Sequence, residues 1–171
     1  MEKHIILVGF MGSGKSTIGK VLAEQLGVDF IDSDEVISKN EGLSISEIFE
    51  TKGEDCFRQK EREFVLGLPN VKPSVIAVGG GLPCFEDNLD LLKNAGTVFY
   101  LNVSVMTLVK RLQNEKSQRP LLANLEDKDL SNFVFDKLIE RTAFYRKANH
   151  IIPNETGNVD AAVKEILKVK S

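Results

Sequence analysis

Residues 9–16 read Gly-Phe-Met-Gly-Ser-Gly-Lys-Ser and follow directly on the apolar run Ile5-Ile6-Leu7-Val8. A strand that empties into G-x-x-x-x-G-K-S, with a helical pattern from Thr17 to Leu26 behind it, is a phosphate-binding loop in its proper setting. The pattern constrains the fold because the geometry itself does chemistry. Gly9, Gly12 and Gly14 reach backbone angles closed to other residues, so consecutive N–H groups of Gly12, Ser13, Gly14, Lys15, Ser16 and Thr17 turn toward one anion. The positive end of the helix dipole points to the same place. Lys15 supplies a full charge for the outer phosphates, and the Ser16 hydroxyl is a Mg²⁺ ligand.

The chain has 171 residues, enough to bury a real core in one domain. A formal charge of -3 argues against a nucleic-acid partner, which selects for a basic excess. Cys56 and Cys84 have neither metal spacing nor a disulfide framework, as expected of reduced thiols in a cytoplasmic protein. The N-terminus enters the first strand at once, and no apolar stretch approaches membrane-spanning length, so neither a signal peptide nor a membrane partner is expected.

Short apolar runs at His4–Val8, Val28–Ile31, Val75–Val78, Val98–Leu101 and His150–Ile152 read as strands buried on both faces. Helical patterns fall near Lys15–Leu26, Asp34–Asn40, Ser46–Lys52, Asp55–Leu68, Asp87–Asn94, Val105–Asn114, Lys128–Ala148 and Val159–Val169. This alternation predicts an α/β fold, a five-stranded parallel sheet flanked by helices, with ligands at the carboxyl ends of the strands. Four informative segments fall there: the phosphate loop, Asp32-Ser33-Asp34, Gly79-Gly80-Gly81 and the stretch after Asn114.

Asp32 and Asp34 end the second strand one residue apart. In a strand-like turn they share one side, where two carboxylates repel unless a cation or proton lies between them. A phosphoryl-transfer enzyme needs one acid near Mg²⁺ and another at the acceptor hydroxyl. The competing reading is that one Asp caps the following helix. The third strand ends in Gly79, where many phosphate-loop proteins place their metal-binding Asp, which leaves Asp32 as the available candidate.

Glu61 sits on the apolar stripe Phe57, Phe64, Leu68, and Arg58 lies one turn away. A lone buried carboxylate costs several kcal/mol, so an Arg58–Glu61 pair aimed at a pocket is the economical arrangement, against a structural ion pair on a solvated face. Arg141 repeats the oddity on the inward face of Leu138, Thr142, Tyr145 and Ala148, where a solvated helix charge is the alternative. Two inward arginines suit a small carboxylate. The three consecutive glycines serve close approach of a ligand or a tight strand exit. Residues 115–127 lose periodicity, the pattern of a lid or of a disordered loop, and Arg119 before Pro120 reads either as a charge carried onto the outer phosphates when a lid closes or as a solvated surface arginine.

Together these segments resemble shikimate kinase over almost the whole chain: Gly9–Thr17, Asp32-Ser33-Asp34, Phe57-Arg58 with Glu61, Gly79–Gly81, Arg119-Pro120-Leu121-Leu122, and Arg141 four residues before Tyr145. The resemblance implies a three-layer fold like that of nucleoside monophosphate kinases, one domain over 1–171 with a substrate-binding helical region at 33–62 and a lid at 115–127. It implies ATP-dependent phosphorylation of the 3-hydroxyl of shikimate, on the route to chorismate and the aromatic amino acids, by a monomer. Asp34 would bind the ring hydroxyls and act as base or orienter. Arg58 and Arg141 would hold the carboxylate, with Gly79, Gly80 and Gly81 completing the pocket. Lys15 and Arg119 would stabilise the transferring group, and Ser16 and Asp32 would hold Mg²⁺. Arg111 would flank adenine, with Asn154 in the Pro153–Glu155 stretch forming the rest of that wall. The sequence departs from the family pattern at Ala143, where proline is usual, and at Asn149, where alanine is common.

Another phosphate-loop kinase, acting on gluconate or a nucleoside monophosphate, accounts for the loop and lid but not for the acid pair, glycine run and two arginines together. A GTP-dependent switch would carry Asn-Lys-x-Asp and Asp-x-x-Gly segments, and neither occurs. A catalytically silent nucleotide-binding module would not need the full set of charged groups.

Overall fold

The computed structural model describes residues 3–115 and 126–170. Five parallel strands form one sheet: β1 (His4–Val8), β2 (Phe30–Asp32), β3 (Val75–Ala77), β4 (Gly96–Asn102) and β5 (His150–Pro153), in the order β2-β3-β1-β4-β5. The helices are α1 (Lys15–Leu26), α2 (Ser33–Glu41), α3 (Ile45–Gly67), α4 (Asn88–Ala95), α5 (Val105–Glu115), α6 (Asp127–Tyr145) and α7 (Val159–Lys170). Register pairs Leu7 with Ala77 on one side of β1 and with Phe99 on the other. The phosphate loop therefore leaves the middle of the sheet.

Alternation along the strands divides the core into two layers. Ile6, Val8, Ile76, Val98 and Tyr100 face α5, α6 and the last turns of α3. Ile5, Leu7, Val75, Phe99 and Leu101 face α1 and α7, where Ile18, Leu22, Val163 and Ile166 meet them. A third, small cluster of Ile37, Ile48 and Phe57 joins α2 to α3 and gives the 33–62 region its own anchor.

Two expected boundaries shift for local reasons, and one expected break is kept. The second strand starts at Phe30 rather than Val28, because Gly27 (φ 63) caps α1 and Val28 N–H still donates to Ala23 O. The two helices expected over Ser46–Lys52 and Asp55–Leu68 are both present: they meet at a kink at Gly53 (φ 81, ψ 168), where the backbone leaves the helical angles, and α3 names the pair. Helix α6 ends at Tyr145 instead of Ala148. The next residues form tight turns that free Asn149, whose Oδ1 accepts the Val98 N–H 2.9 Å away on β4. That bond gives a structural use to the asparagine that departs from the family pattern.

Candidate active site

The phosphate loop is built as its glycines require. Gly12 (φ 79) and Gly14 (φ 95) lie in the left-handed region, and Gly14 is the N-cap of α1 with no side chain capping the helix. The opening amides of α1 thus face the same space as the positive end of its dipole. Lys15 Nζ donates to the carbonyls of Gly9 (2.8 Å) and Phe10 (3.0 Å), which holds its charge beside the loop.

Two residues assigned to the adenine wall brace the loop from behind. Arg111 donates to Gly12 O (3.0 Å) and to Asn154 O (2.7 Å), and the buried Asn154 side chain donates to Ser13 O (2.8 Å). Both also line the cavity at the loop. Within the loop Ser13 is buried, its hydroxyl without a hydrogen-bond partner among the described residues.

The acid pair corrects the expectation of a shared strand face. Asp32 ends β2 and is the N-cap of α2, whereas Asp34 already lies in the first helical turn. Capping and site chemistry are not alternatives here, because Asp32 has two oxygens. One accepts the Asp34 N–H (3.0 Å), and the other accepts the Ser16 hydroxyl (2.9 Å). Burial, and then the neighbouring Asp32, raise the Asp34 carboxyl above the usual carboxylate range, against the pull of Lys15 and Arg58. Between the two acids the fully buried Ser33 hydroxyl accepts the Gly79 N–H (2.9 Å) and ties β2 to the glycine run.

The inward carboxylate is present as the stripe demanded. Glu61 is 1% exposed and accepts from Arg58 at 2.6 Å, while Arg58 reaches outward to Glu54 at 3.1 Å. Arg141 approaches from α6 with its guanidinium 5.5 Å from the centre of the Phe10 ring. The glycine run makes room for these side chains rather than only for a ligand or a tight exit. A Cβ on Gly79 would lie 2.7 Å from Asp34 Oδ1, and one on Gly81 2.6 Å from an Arg58 nitrogen.

Burial lifts the Glu61 carboxyl to about 7, with Arg58 and Arg141 offsetting only part of the cost. Unfolding returns the group to its ordinary value of 4.5, so the folded state holds the proton more tightly. The resulting stability is complete below the unfolded value and is lost as pH rises through about 7. Urea midpoints of wild type and Glu61→Gln at pH 5 and pH 8 check this. The wild-type advantage over the variant is expected to shrink at the higher pH, and an advantage that grows contradicts it.

One cavity of about 880 Å³ at the carboxyl ends of the strands joins these parts. Gly12, Gly14, Lys15, Ser16 and Thr17 line it at the phosphate loop, and Asp34, Arg58, Glu61 and Arg141 line it beyond the loop. Asp32 and the three glycines lie along its wall, as do Phe49 and Phe57, an aromatic pair 4.8 Å apart. Arg119 lies outside the described residues. Ser33 and Phe49 were missed. A small hydroxyl between two acids and a phenylalanine on an amphipathic helix carry no distinguishing pattern.

Comparison with known proteins gives a consistent picture. The family model described as shikimate kinase matches residues 11–170. A shikimate kinase from Sulfurihydrogenibium sp. is 43% identical over 98% of this chain and 98% of its own. Among solved structures, shikimate kinase from Bacteroides thetaiotaomicron superposes with a TM-score of 0.92 at 34% identity, covering 98% of both chains. Shikimate kinase from Acinetobacter baumannii in complex with shikimate gives 0.89 at 36% identity, over 98% of this chain and 92% of that one.

Proposed function

This chain belongs to the shikimate kinase family, and on that premise we propose that it transfers the γ-phosphoryl group of ATP to the 3-hydroxyl of shikimate, giving shikimate 3-phosphate and ADP on the route to chorismate and the aromatic amino acids. The observation that carries the reading is the shared cavity. A phosphate loop with Lys15 stands at one end, and an acid with two guanidinium groups stands at the other.

Each end has a distinct task. The guanidinium groups of Arg58 and Arg141 take the acceptor's carboxylate, Glu61 holding Arg58 in place. With the carboxylate fixed, the ring hydroxyls fall to Asp34, whose raised basicity suits a group that orients and accepts the hydroxyl proton as the phosphoryl group arrives. The loop amides and Lys15 stabilise charge on the transferring group, the larger part of catalysis in a reaction governed by positioning and electrostatics.

The Ser16 hydroxyl and Asp32 carboxylate, 2.9 Å apart beside the loop, form an oxygen donor set that suits a hard divalent cation. They would hold Mg²⁺, which when bound neutralises phosphate charge. Arg119, on a lid over 115–127, belongs to the same reading as a second charge on the outer phosphates. Arg111 and Asn154 stand beside adenine in it. The enzyme acts as a single-domain cytoplasmic monomer on two small molecules, with no nucleic-acid or membrane partner. The test is the acceptor dependence of ADP release: shikimate accelerates it, whereas gluconate and nucleoside monophosphates leave it at the acceptor-free rate.

A further inference from the structure

Tyr145, the last residue of α6, is fully buried and stacks on Tyr100 with ring centres 5.0 Å apart. Packing alone would be served as well by phenylalanine. Its hydroxyl instead donates to Gly80 O at 2.6 Å, across a separation of 65 residues. All three carbonyls of the glycine run are held. Gly79 O accepts from Leu82 N–H (3.1 Å) and Gly81 O from Cys84 N–H (3.0 Å), both local turns, and only Gly80 O is held by a side chain.

The amides of the run divide differently. Gly79 N–H is taken by Ser33, whereas those of Gly80 and Gly81 have no partner among the described residues, and both glycines line the cavity. The peptide bonds are trans, so a carbonyl held from below turns the N–H of the next residue the opposite way. Fixing Gly80 O on the buried Tyr145 hydroxyl therefore aims Gly81 N–H away from the core. Arg141, one helical turn before Tyr145, meets the same glycine. A Cβ on Gly80 would lie 3.2 Å from Arg141 Nη1 and 3.5 Å from Tyr145 Oη.

We propose that Tyr145 is a positioning residue for the acceptor. Its hydroxyl pins the Gly80–Gly81 peptide so that a backbone N–H and the Arg141 guanidinium meet the bound acceptor together. Tyr145 does not itself touch the acceptor; it acts through Gly80 and through the Arg141 side chain that its hydroxyl also meets. This inference rests on shikimate being that acceptor, and it adds a residue whose contribution runs through backbone.

Tyr145→Phe keeps the ring and its stacking and removes only the O–H. At saturating ATP the variant is expected to raise KM for shikimate about tenfold, the scale of one lost hydrogen bond with its consequences, with KM for ATP unchanged. A merely structural tyrosine would lower Tm without separating the two KM values. A shikimate KM equal to that of wild type overturns the proposal. A second measurement needs no variant. In wild-type enzyme labelled with ¹⁵N, the Gly80 and Gly81 amide resonances are expected to shift on adding shikimate without nucleotide, and resonances that stay in place overturn it. The wild-type control separates the two levels of failure. Wild type that does not turn over shikimate removes the function and this inference together. Active wild type with an indifferent Tyr145→Phe removes this inference alone.

Discussion

Replacing Asp34 with Asn lowers kcat for shikimate phosphorylation by about 10²–10⁴-fold, the range spanned by a positioned general base, and leaves KM for ATP nearly unchanged. The substitution is close to isosteric, so the first turn of α2 and its cap on Asp32 remain, the bonded Asp34 group being a backbone N–H. What disappears is a carboxylate that lines the cavity beside Arg58 and Glu61 and whose basicity burial raises. Two other acids of the cavity are committed elsewhere, Glu61 to Arg58 and Asp32 to Ser16 and the helix cap, and Glu35 is exposed. Steady-state kinetics with each substrate varied in turn supply the check. An Asn variant that turns over at the wild-type rate would remove Asp34 from the mechanism without touching the family assignment.

The second large effect is expected at Arg58. Arg58→Ala should weaken shikimate binding by about 10²-fold, in line with truncation of one partner of a partly buried charge pair, while ATP binding changes little. The nucleotide end of the cavity has its own charge in Lys15, and Arg58 makes no bond to the phosphate loop. Arg58→Lys should not restore affinity, because an ammonium group cannot present two parallel N–H groups to a carboxylate. The fold should survive the loss. Glu61, left without its partner at 2.6 Å, has a carboxyl already lifted to about 7 and takes up a proton instead of remaining a buried unpaired charge. Calorimetric titration with each ligand separates the two affinities, and an equal loss of both would contradict the assignment of Arg58 to the acceptor.

What was legible in the sequence, and what was not, follows from the range of the interactions. The phosphate loop is a local object, in which glycines, lysine and flanking periodicity lie within a dozen residues. Glu61 was legible because a carboxylate on an apolar stripe violates the helix pattern and demands a partner within one turn, which Arg58 is. The sequence offered helix capping and site chemistry at the acid pair as alternatives; that Asp32 does both, one oxygen on the cap and the other on Ser16, which lies 16 residues away, needed the fold. More distant still are the bonds that set backbone at the site. Tyr145 reaches Gly80 across 65 residues, Arg111 reaches Gly12 across 99, and Asn154 reaches Ser13 across 141. A carbonyl carries no sequence signature, so side chains that hold carbonyls read as ordinary polar or aromatic residues until the sheet brings them together. The glycine run was visible, but the reason for it, room for Asp34, Glu61, Arg58 and Arg141, required the fold.

The central claim is that one cavity sets the alcohol of a small carboxylic acid against the terminal phosphate of ATP. Acceptor-dependent turnover followed to its product measures this most directly: ADP release by wild-type enzyme with ATP and Mg²⁺, with and without shikimate, and phosphorus NMR of the mixture. The predicted result is ADP formed only when shikimate is present, matched mole for mole by a phosphate ester at its 3-hydroxyl. ADP appearing at one rate with or without shikimate, accompanied by inorganic phosphate and no ester, would contradict it.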